Sequence, residues 1–126
     1  LTSCGLTEND AVAIAQMMEE NTSLKELDVS FNSFGDACVA LYAAVQVNPS
    51  LKCINSSYCG ITGEDTQSIG QMLHDDIAYL EELDLSHNSF KNKEDGSDGS
   101  IAIMVALQEK NRTLKRLFLK LCNLDK

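Results

Sequence analysis

Leu80-Glu81-Glu82-Leu83-Asp84-Leu85-Ser86-His87-Asn88-Ser89-Phe90 reads as a short strand running into a tight turn. Leu83 and Leu85 alternate as the inward residues of a half-buried strand do. Asn88 follows three residues after Leu85, and an apolar residue stands two further on. The turn therefore holds an amide side chain, which can both donate and accept. The same five-position pattern recurs as Leu24-Leu27-Val29-Asn32-Phe34, Leu51-Ile54-Ser56-Cys59-Ile61 and Leu114-Leu117-Leu119-Cys122-Leu124. The chain opens inside a further copy, Leu1-Cys4-Leu6. Copies starting at 24, 51, 80 and 114 lie 27, 29 and 34 residues apart. Self-similarity at such periods marks a stack of one repeated unit.

Helical periodicity fills the space between copies. Thr7 is an N-cap with Asp10 three residues on, and Ala11, Ile14, Ala15 and Met18 then fall on one face. Asn21-Thr22-Ser23 ends that helix. In the next unit Cys38, Leu41, Tyr42 and Val45 form the stripe, and Pro49 stops it. Thr62 caps a third helix in which Thr66, Ile69, Leu73 and Ile77 face inward. In the fourth, Ile101, Met104 and Val105 interleave with Ile103 and Leu107, so that helix is apolar over a wide arc. Each unit is thus strand, turn, helix and return, and it becomes stable only by stacking on its neighbours. A strand-to-helix-to-parallel-strand connection is right-handed. Helices are wider than strands, so the stack curves with its parallel sheet on the concave side. The prediction is a single α/β solenoid domain over residues 1–126, about 4.5 repeats long. Leu1 lies within a strand and Lys126 precedes any fifth helix, so the reading expects a piece of a longer array, with self-association through uncapped ends as one consequence.

The composition narrows the function. The 126 residues carry a formal charge of -9, which disfavours nucleic acid and anionic membranes and favours a basic protein partner. No apolar run is long enough to span a membrane. Five cysteines at wide, irregular spacing form neither a disulfide framework nor zinc knuckles, so they read as reduced thiols in a cytoplasmic setting. His74 and His87 lack metal-ligand spacing, and no nucleophile or phosphate-loop motif is present. Asp95-Gly96-Ser97-Asp98-Gly99 lacks the alternating ligands of a calcium loop. The sequence therefore predicts no enzyme, cofactor or metal. Sequons at Asn21, Asn55 and Asn111 read as incidental.

The turns carry a family resemblance. Asn32-Ser33-Phe34-Gly35-Asp36 is similar to the NxLGD turn, and Cys4-Gly5-Leu6-Thr7 and Cys59-Gly60-Ile61-Thr62 to the CxLT turn, of leucine-rich repeat proteins in the ribonuclease-inhibitor subclass. The two types alternate along the ladder Cys4, Asn32, Cys59, Asn88 and Cys122. That resemblance implies a protein-binding module. Its members include ribonuclease inhibitors, GTPase-activating proteins, actin pointed-end cappers and innate immune receptors. A cytoskeletal, ciliary or centrosomal scaffold is the leading expectation, with an immune-receptor recognition region and a GTPase-activating regulator as alternatives.

Two copies depart from the template. Ser56 stands where Val29, Leu85 and Leu119 stand, which predicts an underfilled site with a loose strand or a bound water. Filling it with leucine is then expected to leave the melting temperature undiminished. Residues 91–99 insert charged, Gly- and Ser-rich sequence after Phe90, predicting a mobile surface loop.

Outward positions supply the candidate site. Phe31, Tyr58 and His87 occupy one column at the strand exits and form an aromatic ridge, unless Phe31 tucks beneath the next turn. Glu26, Asp28, Glu82 and Asp84 form an acidic stripe beside it. Lys115, Arg116 and Lys120 reverse the sign on the last strand. Cys53 is either an exposed thiol or one covered by a loop. Exposed aromatics bordered by charge serve as interface anchors, so Glu26, Asp28, Phe31, Tyr58, Glu82, Asp84 and His87 are the predicted partner-binding residues.

Overall fold

The computed structural model describes residues 5–34, 38–74, 80–91, 99–109 and 114–119. Helices and strands alternate: α1 (Glu8–Glu20), β1 (Glu26–Asp28), α2 (Cys38–Val47), β2 (Cys53–Asn55), α3 (Gly63–His74), β3 (Glu82–Asp84), α4 (Ser100–Glu109) and β4 (Arg116–Phe118). The strands form one parallel sheet in the order β1-β2-β3-β4, and each helix packs on the next in sequence. This is the right-handed solenoid expected, with the sheet lining the concave side and the helices the convex side. Register follows the repeat: Leu27, Ile54, Leu83 and Leu117 stand side by side. The strands are three residues long. Beyond them, turn amides continue the ladder: Phe31 N–H donates to the Ser57 carbonyl at 3.0 Å and Tyr58 N–H to the Ser86 carbonyl at 3.1 Å.

The core is the set of template positions plus one helix stripe per unit. Leu51, Ile54, Leu80, Leu83, Leu85, Phe34, Ile61 and Phe90 are buried from the strand and turn side. From the helices come Ala11, Ala15 and Met18, then Cys38, Leu41, Tyr42 and Val45, then Thr66, Ile69 and Leu73. Ile77 lies outside the described residues. Met72 joins them, a position the helical stripe did not include. In α4 only part of the apolar arc is buried. Ile103 and Ala106 are buried and Leu107 packs beside them, whereas Ile101, Met104 and Val105 are 64%, 58% and 41% exposed. One helix face meets α3, and the described residues leave the next face open.

Thr7 caps α1 with a full capping box. Its hydroxyl accepts from Asp10 N–H, and Asp10 accepts from Thr7 N–H at 2.8 Å. The Thr7 N–H, and after it the Thr7 hydroxyl donating to the same carboxylate, hold the Asp10 carboxyl below its ordinary range. At α3 the Asp65 carboxylate likewise accepts from the Thr62 N–H and from the Thr62 hydroxyl. Helix ends on the return side are joined by asparagines. Asn48, buried, donates to the Met18 and Asn21 carbonyls at 2.6 and 2.9 Å and accepts from Ser50 and Leu51 N–H. Asn21 accepts likewise from Ser23 and Leu24 N–H. In the sequence Asn21 reads only as a helix stop. The signal was present: Asn21, Asn48 and Asn111 each stand three residues before a template leucine.

Ser56 is not the underfilled site expected. The Tyr42 hydroxyl donates to its Oγ at 2.7 Å, and both residues are 1% exposed. A buried ring from α2 stands against the serine, where the other copies carry Val29, Leu85 and Leu119. Burial in turn raises the Tyr42 phenol well above its ordinary pKa. Residues 92–98 of the insertion lie outside the described residues, but its ends are anchored. Lys91 carbonyl accepts from Gly63 N–H at 3.1 Å, and Gly99 N–H donates to the Phe90 carbonyl at 2.8 Å. Gly99 is buried rather than on the surface: a Cβ there would lie 2.5 Å from Thr66 Oγ1, so only glycine fits the approach to α3.

Candidate binding surface on the concave face

Three turns build the ridge in the same way. In each, a strand residue with a short polar side chain accepts from the N–H two residues on. Asp28 accepts from Ser30 N–H at 3.0 Å, Asn55 from Ser57 N–H at 3.0 Å, and Asp84 from Ser86 N–H at 2.9 Å. The Ser30 and Ser57 hydroxyls add a second bond to the same oxygens. These are Asx turns. The next residue then takes a left-handed conformation: Phe31, Tyr58 and His87 have φ of 60°, 54° and 62°. Such a conformation costs a non-glycine residue about 1–2 kcal/mol. Glycine would remove that cost at each site, yet three rings stand there.

The ladder residues anchor the turn from below. Asn88 donates to the Ser56, Leu85 and Ser86 carbonyls and accepts from Cys59 and Ile61 N–H, both at 3.0 Å. Asn32 donates to the Val29 and Ser30 carbonyls and accepts from Leu6 N–H. The Cys59 thiol donates to the Val29 carbonyl at 3.2 Å, and burial pushes its pKa up to about 11. Cys4 and Cys122 lie outside the described residues. Among the described residues no buried side-chain nitrogen or oxygen lacks a hydrogen-bond partner.

With the turns held in this way, the rings stack. Phe31 and Tyr58 have centroids 4.3 Å apart at 14°, and Tyr58 and His87 are 4.1 Å apart at 13°. Phe31 does not tuck beneath a turn: it is 52% exposed, and Tyr58 is 43% exposed. Tyr58 touches both neighbours and is the centre of the column. Beside it lies an open trough of about 420 Å³ lined by Glu26, Asp28, Cys53, Asn55, Glu82, Asp84 and Phe118. Phe118, 46% exposed, is the apolar end of that trough.

The predicted acidic stripe is divided in its duties. Asp28 and Asp84 carry their charge at the trough while serving as turn acceptors. Glu82 is engaged twice: Arg116 Nη1 donates to Oε1 at 2.9 Å and the Cys53 thiol to Oε2 at 3.1 Å. Cys53 is half-buried, and this bond to a carboxylate pushes its pKa up to about 11. At pH 8 its thiolate fraction falls roughly 200-fold below that of an ordinary thiol, offset about tenfold by the greater nucleophilicity of a more basic thiolate. Cys53 is therefore expected to alkylate about twentyfold more slowly than a model thiol, and Glu82→Gln to restore most of that rate. Peptide-resolved iodoacetamide labelling reads both, and equal rates in the two proteins would exclude the Glu82 contact. Lys52, Glu81 and Lys115 form a separate ion-pair row at the strand entrances, and Lys115 holds the Glu81 carboxyl below its ordinary range.

The sequence placed all seven predicted residues on this face, and the structure brings Phe31, Tyr58 and His87 into direct contact. It missed the Asx turns that position them. Their signal is a repeated Asp/Asn-x-Ser, at Asp28-Val29-Ser30, Asn55-Ser56-Ser57 and Asp84-Leu85-Ser86. Among the described residues no three His, Cys, Asp or Glu side chains are grouped to hold a metal, and no helix is long and apolar enough to cross a membrane.

Comparison with known proteins agrees with this architecture. Models of the Leucine Rich repeat match residues 20–37 and 79–101. The chain is 31% identical over 127 residues to NACHT, LRR and PYD domains-containing protein 5 of Bos taurus, covering 99% of this chain and 11% of that protein. It is 29% identical over 126 residues to Ribonuclease inhibitor of Mus musculus and 28% identical to that of Sus scrofa, each time covering 98% of this chain and 26% of the relative. The chain thus spans a quarter or less of the length of these relatives.

Proposed function

The chain is a leucine-rich repeat protein of the ribonuclease-inhibitor type, and from that premise we propose that its concave face binds a basic protein surface, with Phe31, Tyr58 and His87 as anchors. Domains of this family are typically non-enzymatic protein-binding modules. The observation that carries the proposal is the three-ring stack in a backbone conformation that only glycine adopts without cost. Strain of that kind persists where the side chain is used. Charge supports a basic partner: Glu26, Asp28 and Asp84 line the trough beside the rings. Glu82 contributes less, because Arg116 already neutralises it.

The test begins with capture of partners by the full parent chain. Against a captured partner, Tyr58→Ala is expected to weaken binding about tenfold or more, since it removes both stacking contacts at the centre of the ridge. Asp84→Asn keeps the turn acceptor and removes the charge, so it is expected to reduce affinity about threefold and flatten the salt dependence. If both variants bind within twofold of the parent, this face is not the site.

A cytoplasmic setting for this binding is supported by Cys53 and Cys59, whose thiols are in no disulfide and donate to Glu82 and to the Val29 carbonyl. A cytoskeletal, ciliary or centrosomal scaffold is the setting to test first, by locating the tagged parent protein in cells; diffuse staining without such structures would exclude it. Similarity to a NACHT, LRR and PYD domains-containing protein over 99% of this chain favours a second reading, the recognition region of a receptor. A nucleotide-binding domain elsewhere in the parent sequence would select it.

A further inference from the structure

We infer that Arg116 competes with the basic partner for Glu82, so that this one side chain sets how tightly the concave face takes its partner. The inference deepens the concave-face reading and rests on it. Three side chains meet at one place on the sheet. The register puts Cys53, Glu82 and Arg116 side by side on neighbouring strands. Arg116 Nη1 lies 2.9 Å from Glu82 Oε1, and the Cys53 thiol donates to Oε2 at 3.1 Å. Both carboxylate oxygens are therefore engaged, and the cation that answers their charge is the chain's own. Glu82 still opens on the trough: its side chain is 34% exposed with both bonds made, and it lines the same space as Asp84.

Glu82 and Asp84 stand two residues apart on β3 and so project from the same side of the sheet, about 7 Å from each other along the strand. They differ in what engages them. Asp84 accepts from the Ser86 N–H, a neutral donor that leaves the carboxylate charge in place. Glu82 faces a guanidinium that cancels its charge. A basic segment lying in the trough thus meets one carboxylate ready for it and one already paired. A pair this open to water holds less than about a fivefold advantage over the separated side chains. The Arg116 guanidinium also ends a flexible stem, so a change of rotamer releases Glu82 without moving the sheet. A partner's cation can therefore take the place of Arg116, and the complex forgoes the affinity that this exchange consumes.

The experiment titrates the chain with hexa-arginine amide at about 0.15 M salt, where long-range charge effects are largely screened. Amide chemical shifts give the location, and Kd comes from the same titration. Arg116→Gln is expected to tighten binding about threefold. Lys115→Gln removes the same charge one residue earlier and releases Glu81, which does not line the trough. It is therefore expected to stay within about 1.5-fold of the parent. In the Glu82→Gln background the effect of Arg116→Gln is expected to fall below about 1.5-fold, because nothing is left to compete for. Arg116→Gln binding no tighter than Lys115→Gln, or tightening equally when Glu82 is already replaced, overturns the competition. The concave-face reading survives that result if the peptide shifts residues 53–55 and 82–84 and Asp84→Asn weakens it about threefold. Shifts away from the sheet, with Asp84→Asn binding like the parent, overturn both.

Discussion

Asn88→Ala is expected to cost about 4 kcal/mol of folding stability, several times a typical surface substitution. The residue is 2% exposed and makes five hydrogen bonds, all to backbone groups. Two serve Cys59 and Ile61 N–H in the preceding turn, and three serve the carbonyls of Ser56, Leu85 and Ser86. Alanine leaves those backbone groups buried without partners, and each such group costs about 1–3 kcal/mol unless the turn opens to water. Opening is the cheaper outcome, and it would release the left-handed residues Tyr58 and His87 that the turns hold. Urea unfolding measures the loss. Near-ultraviolet circular dichroism, sensitive to the stacked rings, is expected to change with it. Cys59→Ala is the internal comparison. Its thiol makes only weak contacts, at 3.2 and 3.5 Å, so it is expected to cost about 1–2 kcal/mol. If the two variants lose equal stability, the asparagine ladder is not what holds these turns.

Much of this was legible in the residues because a repeat announces itself four times over. Leu83 alone is an apolar residue; Leu27, Ile54, Leu83 and Leu117 at matching offsets are a sheet, and their pairing in register follows. The ladder was legible for the same reason. An amide at a fixed place after a strand has few uses, and Asn32 and Asn88 each serve their own turn and the preceding one. The outward column gave the identity of the rings but not their contact. Stacking needs the left-handed φ at Phe31, Tyr58 and His87, and backbone sign is not written in residue type when the residue is not glycine. The acidic stripe was harder still. Four carboxylates look equivalent in sequence, and only distance separates Glu82, paired with Arg116, from Glu26. In α4 the apolar pattern ran round too much of the helix to say which face meets α3, so Met104 and Ile103 could be told apart only by packing.

Ser56→Leu is expected to lower stability by about 3 kcal/mol, the reverse of what the template alone suggests. By pattern the serine is a gap in the apolar column of Val29, Leu85 and Leu119. In three dimensions the gap is occupied by Tyr42, which reaches across from α2 and donates to Ser56 Oγ at 2.7 Å. A leucine adds two heavy atoms against that fully buried ring, and overpacking of a filled core costs about 1–3 kcal/mol. It also strips the phenol of its acceptor, and a buried hydroxyl without a partner costs about 1–3 kcal/mol more. The two terms have different remedies, so a cycle separates them. Tyr42→Phe in the Ser56→Leu background removes the orphaned hydroxyl and is expected to recover about 1–2 kcal/mol, leaving the overpacking term. Ser56→Ala with Tyr42→Phe removes both hydroxyls without adding volume and is expected to lie within about 1 kcal/mol of the parent, although each single change costs more. Denaturant midpoints of these variants decide the matter. A higher midpoint for Ser56→Leu would mean that the strand does carry unfilled space and that Tyr42 yields to it.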